Sequence, residues 1–424
     1  MFILRGLLGI CVLLAIAFAF STNRRRVRPR VLFAALLSQV AIGAFVLFVP
    51  VGKDILAGTA NQVNRVLDYG NSGIQFLFGG LVSAKMMQLF GSDGFVFAFR
   101  VLPAIIFVTS LISVLYYVGL MKWVVITLGW VFHKVIGVSK IESFSAASTI
   151  FLGQSEMPAM VKPFIKKMSG PELFAVMSSG MASVAGSVLA GYAGLGVKMQ
   201  YLLAASLMAI PGGLLFAKII CPTEEESEVE FRHLDFDEHR PANVIDAAAS
   251  GVTVGLQIAF NVGAMLIAFI GLIALTDGIT SGFFGWFGHP QWTLEYLLGV
   301  LFSPLAWLIG VPWNHAGIAG SFLGQKLILN EFVAYVHLSP YLQSSAAVTA
   351  AGLQVLDMRT LAILSFALCG FANFSSIAIL IGGFSVVAPE RRSEVTRYGL
   401  RVVAAGMLSN LMSATIAGIF LSLR

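Results

Sequence analysis

Apolar runs of about twenty residues recur along this chain, and arginine and lysine mark their ends. The first run, Leu7 to Phe20, meets Arg24, Arg25, Arg26, Arg28 and Arg30. A bilayer core about 30 Å thick is crossed by a helix of about 20 residues. Lipid offers backbone N–H and C=O groups no partner, so such runs read as helices that satisfy themselves. Composition agrees, since 58% of the 424 residues are hydrophobic and only 11% are charged. A soluble chain carries roughly 25% charge. A soluble enzyme, a disordered chain and a nucleic-acid binder are thereby excluded. The net charge of +6 fits Lys and Arg retained on the cytoplasmic side. Cys11, Cys221 and Cys369 lie far apart in or beside apolar runs, with no disulfide framework or metal-ligand spacing.

The positive-inside bias orders these runs. No small-residue cleavage site ends the first one, so it is expected to stay as a helix over 3–21 that starts outside. Residues 31–51 return. Residues 52–72, with Lys53, Asp54, Arg65 and Asp68, read as a surface helix, 73–90 as interfacial, and 95–118 as a span. Lys122, Lys134, Lys140, Lys162, Lys166 and Lys167 define a cytoplasmic stretch. Within it, 142–165 is expected to enter the membrane and leave on the same side. Residues 172–193 and 199–220 go out and back, and the charged loop 222–243 is aqueous. A span over 244–275 follows. Residues 295–338 then form a second broken region, with Pro304, Gly310, Pro312, Asn314, Gly317 and Gly320 in apolar surroundings. Residues 360–386 run inward to Arg391, Arg392, Arg397 and Arg401, and 403–422 finish outside. The expected fold class is an all-α membrane protein with eight transmembrane helices and two re-entrant helical hairpins in inverted repeats. Both termini are expected on the periplasmic side of a bacterial inner membrane.

Polar residues sit at the broken points. Phe151-Leu152-Gly153-Gln154-Ser155-Glu156 is echoed by Phe322-Leu323-Gly324-Gln325, with Asn330-Glu331 shortly after. Each region precedes a span interrupted by small polar residues: Ser178, Ser179, Ser183 and Ser187 in the first, Cys369 to Ser376 in the second. Inverted repeats with discontinuous helices are the architecture of secondary transporters that bind solute near the midplane. A non-helical turn at membrane depth is tolerated only inside protein or against a watery cavity. A carboxylate there costs at least about 2.5 kcal/mol. Glu156 beside Gln154 and Glu331 beside Asn330 therefore mark a solute site. The bland alternative is that each acid caps a helix or pairs with Lys162. Acid–amide pairs, Ser375, Ser376, Phe371 and Phe374 suit an uncharged polyhydroxylated ring. His315 is assigned to packing or capping, Glu142 to the interface, and Trp286, Trp292 and Trp307 to an interfacial belt. No phosphate-cradling loop is present, so ATP-driven pumping is unsupported.

Three motifs carry a family resemblance: Gly153-Gln154-Ser155-Glu156 with Pro158, Asn330 to Tyr335, and Ser365 to Asn373. With the closing Leu408 to Gly418 they resemble the concentrative nucleoside transporter family over almost the whole chain. The resemblance implies a homotrimer in which a mobile transport domain slides as an elevator against a scaffold. It divides the chain into scaffold spans (1–120), a first transport repeat (121–221), the charged loop and a long scaffold helix (222–294), a second transport repeat (295–386) and a C-terminal span (387–424). It places Gln154, Ser155 and Glu156 on the nucleobase, and Glu331, Asn373 and Ser376 on the ribose. Phe371 and Val188 line the pocket.

Sodium-coupled members resembling this chain have Asn where it has Thr149, and usually Val where it has Leu152. With Ser155, Ser183 and the backbone at Val184, those positions form the family's sodium site. Thr keeps one oxygen but loses the amide carbonyl that suits a hard cation. Proton coupling is therefore expected, carried by Glu156 or Glu331. Sodium coupling, with a weak site at Thr149, Ser155 and Ser183, is the alternative. No cofactor is expected. A membrane-embedded enzyme acting on a lipid or nucleotide precursor and a passive channel are the other classes of reading. The mirrored acids speak against the enzyme, because no nucleophile or metal ligand gathers beside them.

Overall fold

A computed structural model describes residues 2–90, 94–223 and 241–423. The described residues are helical, with no strand among them. In chain order the helices are α1 (Phe2–Ala19), α2 (Pro29–Leu47), α3 (Pro50–Phe78), α4 (Ala84–Phe90), α5 (Phe97–Arg100), α6 (Leu102–Tyr117) and α7 (Leu120–Ile136). Next come α8 (Lys140–Ser148), α9 (Met157–Val161), α10 (Gly170–Ala182), α11 (Gly186–Gly194), α12 (Met199–Ile220) and α13 (Val244–Gly285). The chain closes with α14 (Leu294–Leu308), α15 (Trp313–Ile328), α16 (Glu331–Leu338), α17 (Ser345–Ala350), α18 (Met358–Leu368), α19 (Phe374–Val387) and α20 (Arg392–Ser422).

Among the described residues, 7 helical segments are long and apolar enough to cross a membrane: 2–19, 29–47, 97–117, 170–194, 199–220, 244–285 and 389–422. Each coincides with an expected span. The eighth expected span, 360–386, is two shorter apolar helices, α18 and α19, on either side of a break. The pair α14 and α15 is bent by 115°. Residues 52–72 do not form a helix apart from 73–90. They belong to α3, 29 residues long, which begins at Pro50 and runs unbroken to Phe78. Proline at the first helical position has no N–H to orphan and a φ already helical. The span after the charged loop is also longer than expected, because α13 continues for 42 residues. At 1.5 Å per residue that is about 63 Å, roughly twice the hydrocarbon thickness, so the helix must tilt or project. Most of the charged loop, residues 224–240, lies outside the described residues.

The inverted repeat is visible in the element order. In the first half α7 packs on α8, the tip leads into α9, and broken α10/α11 precedes long α12. In the second half α14 packs on α15, the tip leads into α16, and broken α18/α19 precedes long α20. The halves join where α10 and α12 pack on α20, with α1 and α2 laid against α12 and α20.

Two local devices shape the first half. Ser139 and Glu142 form a capping box at α8, and Ser169 and Glu172 form another at α10. In each, the glutamate accepts the cap residue's backbone N–H at 2.9 Å, so two orphan amides of the helix start are satisfied. Glu142 also accepts from Lys218, which reaches Thr223 as well. The interfacial role expected for Glu142 is thus a cap and a buried ion pair.

Helix α13 meets the rest chiefly along α6. A Cβ at Gly251 would lie 2.6 Å from the Ser110 Cα, and one at Gly255 would lie 2.8 Å from the Ile106 Cα. Glycine at this four-residue spacing lets the two backbones approach, as small residues do between membrane helices.

Candidate functional site

Each hairpin tip is non-helical because short polar side chains there bond the backbone. In the first, α8 ends and the chain runs irregularly to Glu156, which precedes α9. The Gly153 N–H donates to Glu156 Oε2, and Gln154 Nε2 donates to Ser376 Oγ at 2.8 Å. In the second, Asn330 caps α16 by accepting the Val333 N–H at 2.9 Å. Glu331 then accepts from Tyr192 Oη on Oε1 and from Asn373 Nδ2 on Oε2, both at 3.0 Å. Asn373 caps α19, its Oδ1 accepting the Ser376 N–H at 2.9 Å and the Ser375 hydroxyl at 2.7 Å. One amide thus starts a half-helix with its oxygen and holds the second hairpin with its nitrogen.

These groups converge on one cavity of about 370 Å³. Its lining includes Gln154, Ser155 and Glu156 from the first tip and Asn330 and Glu331 from the second. Val188 of α11 and Phe371, Asn373, Ser375 and Ser376 of the α18/α19 break complete one side. The opposite wall is α13, through Ile258, Asn261, Val262, Ala264, Met265 and Leu266. The volume falls in the range of about 300–1,000 Å³ usual for small-molecule sites. Both hairpin acids face the same hollow, with amides, hydroxyls and two aromatic side chains, Phe332 and Phe371, around them.

Thr149, Leu152, Ser183 and Val184 do not line this cavity. They lie behind the first tip, where Ser183 Oγ donates to the Thr149 carbonyl at 3.1 Å and Thr149 Oγ1 donates to the Ala146 carbonyl at 2.7 Å. The Ser183 carbonyl accepts the Phe371 N–H at 3.2 Å, so the two helix breaks touch. Beside them is a polar join within the bundle. Lys326 is 0% exposed. Its ammonium donates to Asn410 Oδ1 and to the Ala367 carbonyl, both at 2.7 Å. Asn410 Nδ2 donates to the Ala182 carbonyl at 2.5 Å and to the Cys369 carbonyl at 2.9 Å. The ends of α10 and α18 are thereby capped together, and a cation placed at a helix C-terminus is electrostatically favourable.

All eight residues expected to contact solute are brought together: seven line the cavity with Ser376, which also bonds Gln154. The Phe322–Gln325 echo does not mark the second tip. Gln325 lies within α15 and bonds His337 and Glu295 away from the cavity. The true counterpart of Gly153–Glu156 is the Leu329–Asn330 break, which the helical Phe322–Gln325 stretch precedes by about a turn. His315 lies 3.5 Å from Asp357, outside the cavity. Tyr192, Lys326, Asn410 and Asn261 carry parts of the site that residue pattern alone does not single out. A lysine and an asparagine inside apolar runs were the available signal for the polar join.

The fold and the site together define an elevator-type secondary transporter with inverted hairpin repeats around a shared pocket. Family models described as the Na+ dependent nucleoside transporter C-terminus, its N-terminus and nucleoside recognition match residues 201–418, 8–81 and 98–199. The chain is 52% identical over 424 residues to an uncharacterized transporter of Haemophilus influenzae, covering 100% of this chain and 99% of that one. It is 47% identical over 419 residues to the nucleoside permease NupC of Helicobacter pylori, covering 99% and 98%. An inward-facing, substrate-bound structure of CNTnw matches with a TM-score of 0.95 at 54% identity, covering 100% and 99%. The chain belongs to the concentrative nucleoside transporter family.

Proposed function

We propose that this protein imports nucleosides across a bacterial inner membrane by cation symport, as a homotrimer with both termini on the periplasmic side. The observation that carries the reading is the shared cavity: two tip carboxylates from opposite hairpins, with Gln154, Asn373 and Ser376, enclose one volume. Glu331, Asn373 and Ser376 hold the ribose hydroxyls. Gln154, Ser155 and Glu156 take the edge of the base, and Phe371 and Val188 pack on its face. Leaving one such polar group unpaired in the pocket costs about 1–3 kcal/mol, so the site selects solutes that satisfy them all. The hairpins and broken helices move as the transport unit, and residues 1–120 with α13 form the scaffold.

The coupling ion is the proton. Thr149 supplies a hydroxyl that already donates to its own helix, and Ser183 donates to the Thr149 carbonyl. A donating hydroxyl keeps its lone pairs, but Thr149 lacks the amide carbonyl that sodium-coupled members place here, which leaves a hard-cation site one good oxygen short. Glu156 or Glu331 carries the proton. Sodium coupling at Thr149, Ser155 and Ser183 is the second reading, favoured by the Na+ dependence in the family description. Uptake into proteoliposomes, with sodium replaced by choline over a pH series, decides between them. Proton coupling requires uptake that survives choline and rises with an inward proton gradient. Uptake that needs sodium and ignores pH overturns it.

A further inference from the structure

The wall of the cavity opposite the hairpins carries one amide that the family motifs do not account for. Of the six α13 residues on that wall, five are apolar and the sixth is Asn261. Ile258, Asn261 and Met265 recur at i, i+3 and i+7 and so share a helix face, while Gly251 and Gly255 turn toward α6. Among the described residues the Asn261 amide has no hydrogen-bond partner. A bare amide in the middle of a membrane helix is costly against lipid and is tolerated where it faces a watery cavity. Its counterparts across the hollow are polar and already oriented: Gln154 by Ser376, and Glu331 by Tyr192 and Asn373.

We infer that Asn261 is a substrate contact on the stationary wall, and a determinant of which solutes the cavity accepts. An amide offers both a donor and an acceptor, so it suits the polar edge of a neutral heterocycle or a sugar hydroxyl. The inference rests on the solute site proposed above. If α13 stays still while the hairpins travel, this bond exists over only part of the transport cycle. The five apolar neighbours then let the solute slide past once the bond is left behind.

Nucleoside affinity is measured by titration calorimetry on the purified protein in detergent, with uptake in proteoliposomes alongside, using uridine and adenosine as probes. Asn261→Ala is expected to weaken binding about 3- to 10-fold, the loss of one uncharged hydrogen bond. Asn261→Gln keeps an amide on the wall and restores affinity to within about twofold. Gln257→Ala, one turn away on α13 and off the cavity lining, is expected to bind like the parent. Glu331→Gln is the control for the site itself. If Glu331→Gln weakens binding while Asn261→Ala does not, Asn261 is no contact and the inference falls alone. An Asn261→Gln variant as weak as Asn261→Ala also overturns it, since shape and not hydrogen bonding would then decide. If Glu331→Gln binds like the parent, the solute site is elsewhere and both readings fall.

Discussion

Replacing Glu331 by Gln removes a charge while keeping the shape of the side chain. The two donors on the carboxylate are the Tyr192 hydroxyl and the Asn373 amide, each at 3.0 Å. Asn373 cannot turn its amide over, because its oxygen caps α19 and accepts from Ser375. A glutamine therefore aims its carbonyl at Asn373 and its NH₂ at Tyr192, whose hydroxyl rotates to accept. The local fold survives, and the cost falls on the solute. A hydrogen bond to a charged group is worth about 1.5–3 kcal/mol and a neutral one about 0.5–1.5 kcal/mol. Two ribose hydroxyls thus lose about 2–3 kcal/mol together, a fall in affinity of about 30- to 160-fold. Calorimetry with uridine gives the affinity, and a thermal melt in the same detergent verifies folding. A variant that melts like the parent and binds within threefold of it refutes the assignment of Glu331 to the sugar.

Two further predictions concern what holds the site. Asn410→Ala strands the Ala182 and Cys369 carbonyls and leaves Lys326 with one partner. The expected loss is about 3 kcal/mol or more, and the melting temperature drops by about 5 °C or more; an unchanged melt contradicts it. Glu142→Ala removes both the capping box at α8 and the carboxylate that pairs with buried Lys218. The expected cost is about 3–5 kcal/mol, because the change abandons a buried cation. A thermal melt in detergent checks it, and a variant that melts like the parent contradicts it.

Much of the fold was legible because lipid imposes a single rule on the backbone, and apolar length with arginine boundaries reports it directly. The tips were legible for a related reason. Glu156 and Glu331 stand where a charge has no business unless a cavity meets it, and both do meet one. The failures have physical causes too. Phe322–Gln325 matches the first tip in letters but is helical, since no residue there diverts the backbone as Asn330 does. The cut between 52–72 and 73–90 followed the charge pattern, although an amphipathic helix changes its polar content without changing its hydrogen bonds. Tyr192 and Asn261 stayed hidden because each is polar only in partnership: with Glu331 across 139 positions in one case, and with a hollow in the other.

Lys326 and Asn410 reach across the middle of the molecule, yet three of their acceptors are main-chain carbonyls, at Ala182, Ala367 and Cys369. Main-chain oxygens are the same whatever residue supplies them. The polar part of this join therefore depends on the identity of two side chains, and on Gly370, where a Cβ would run into the Asn410 amide. At Ala182, Ala367 and Cys369 the bonds themselves ask nothing of the side chain, so chemistry at those three positions can change without unfastening the polar seam.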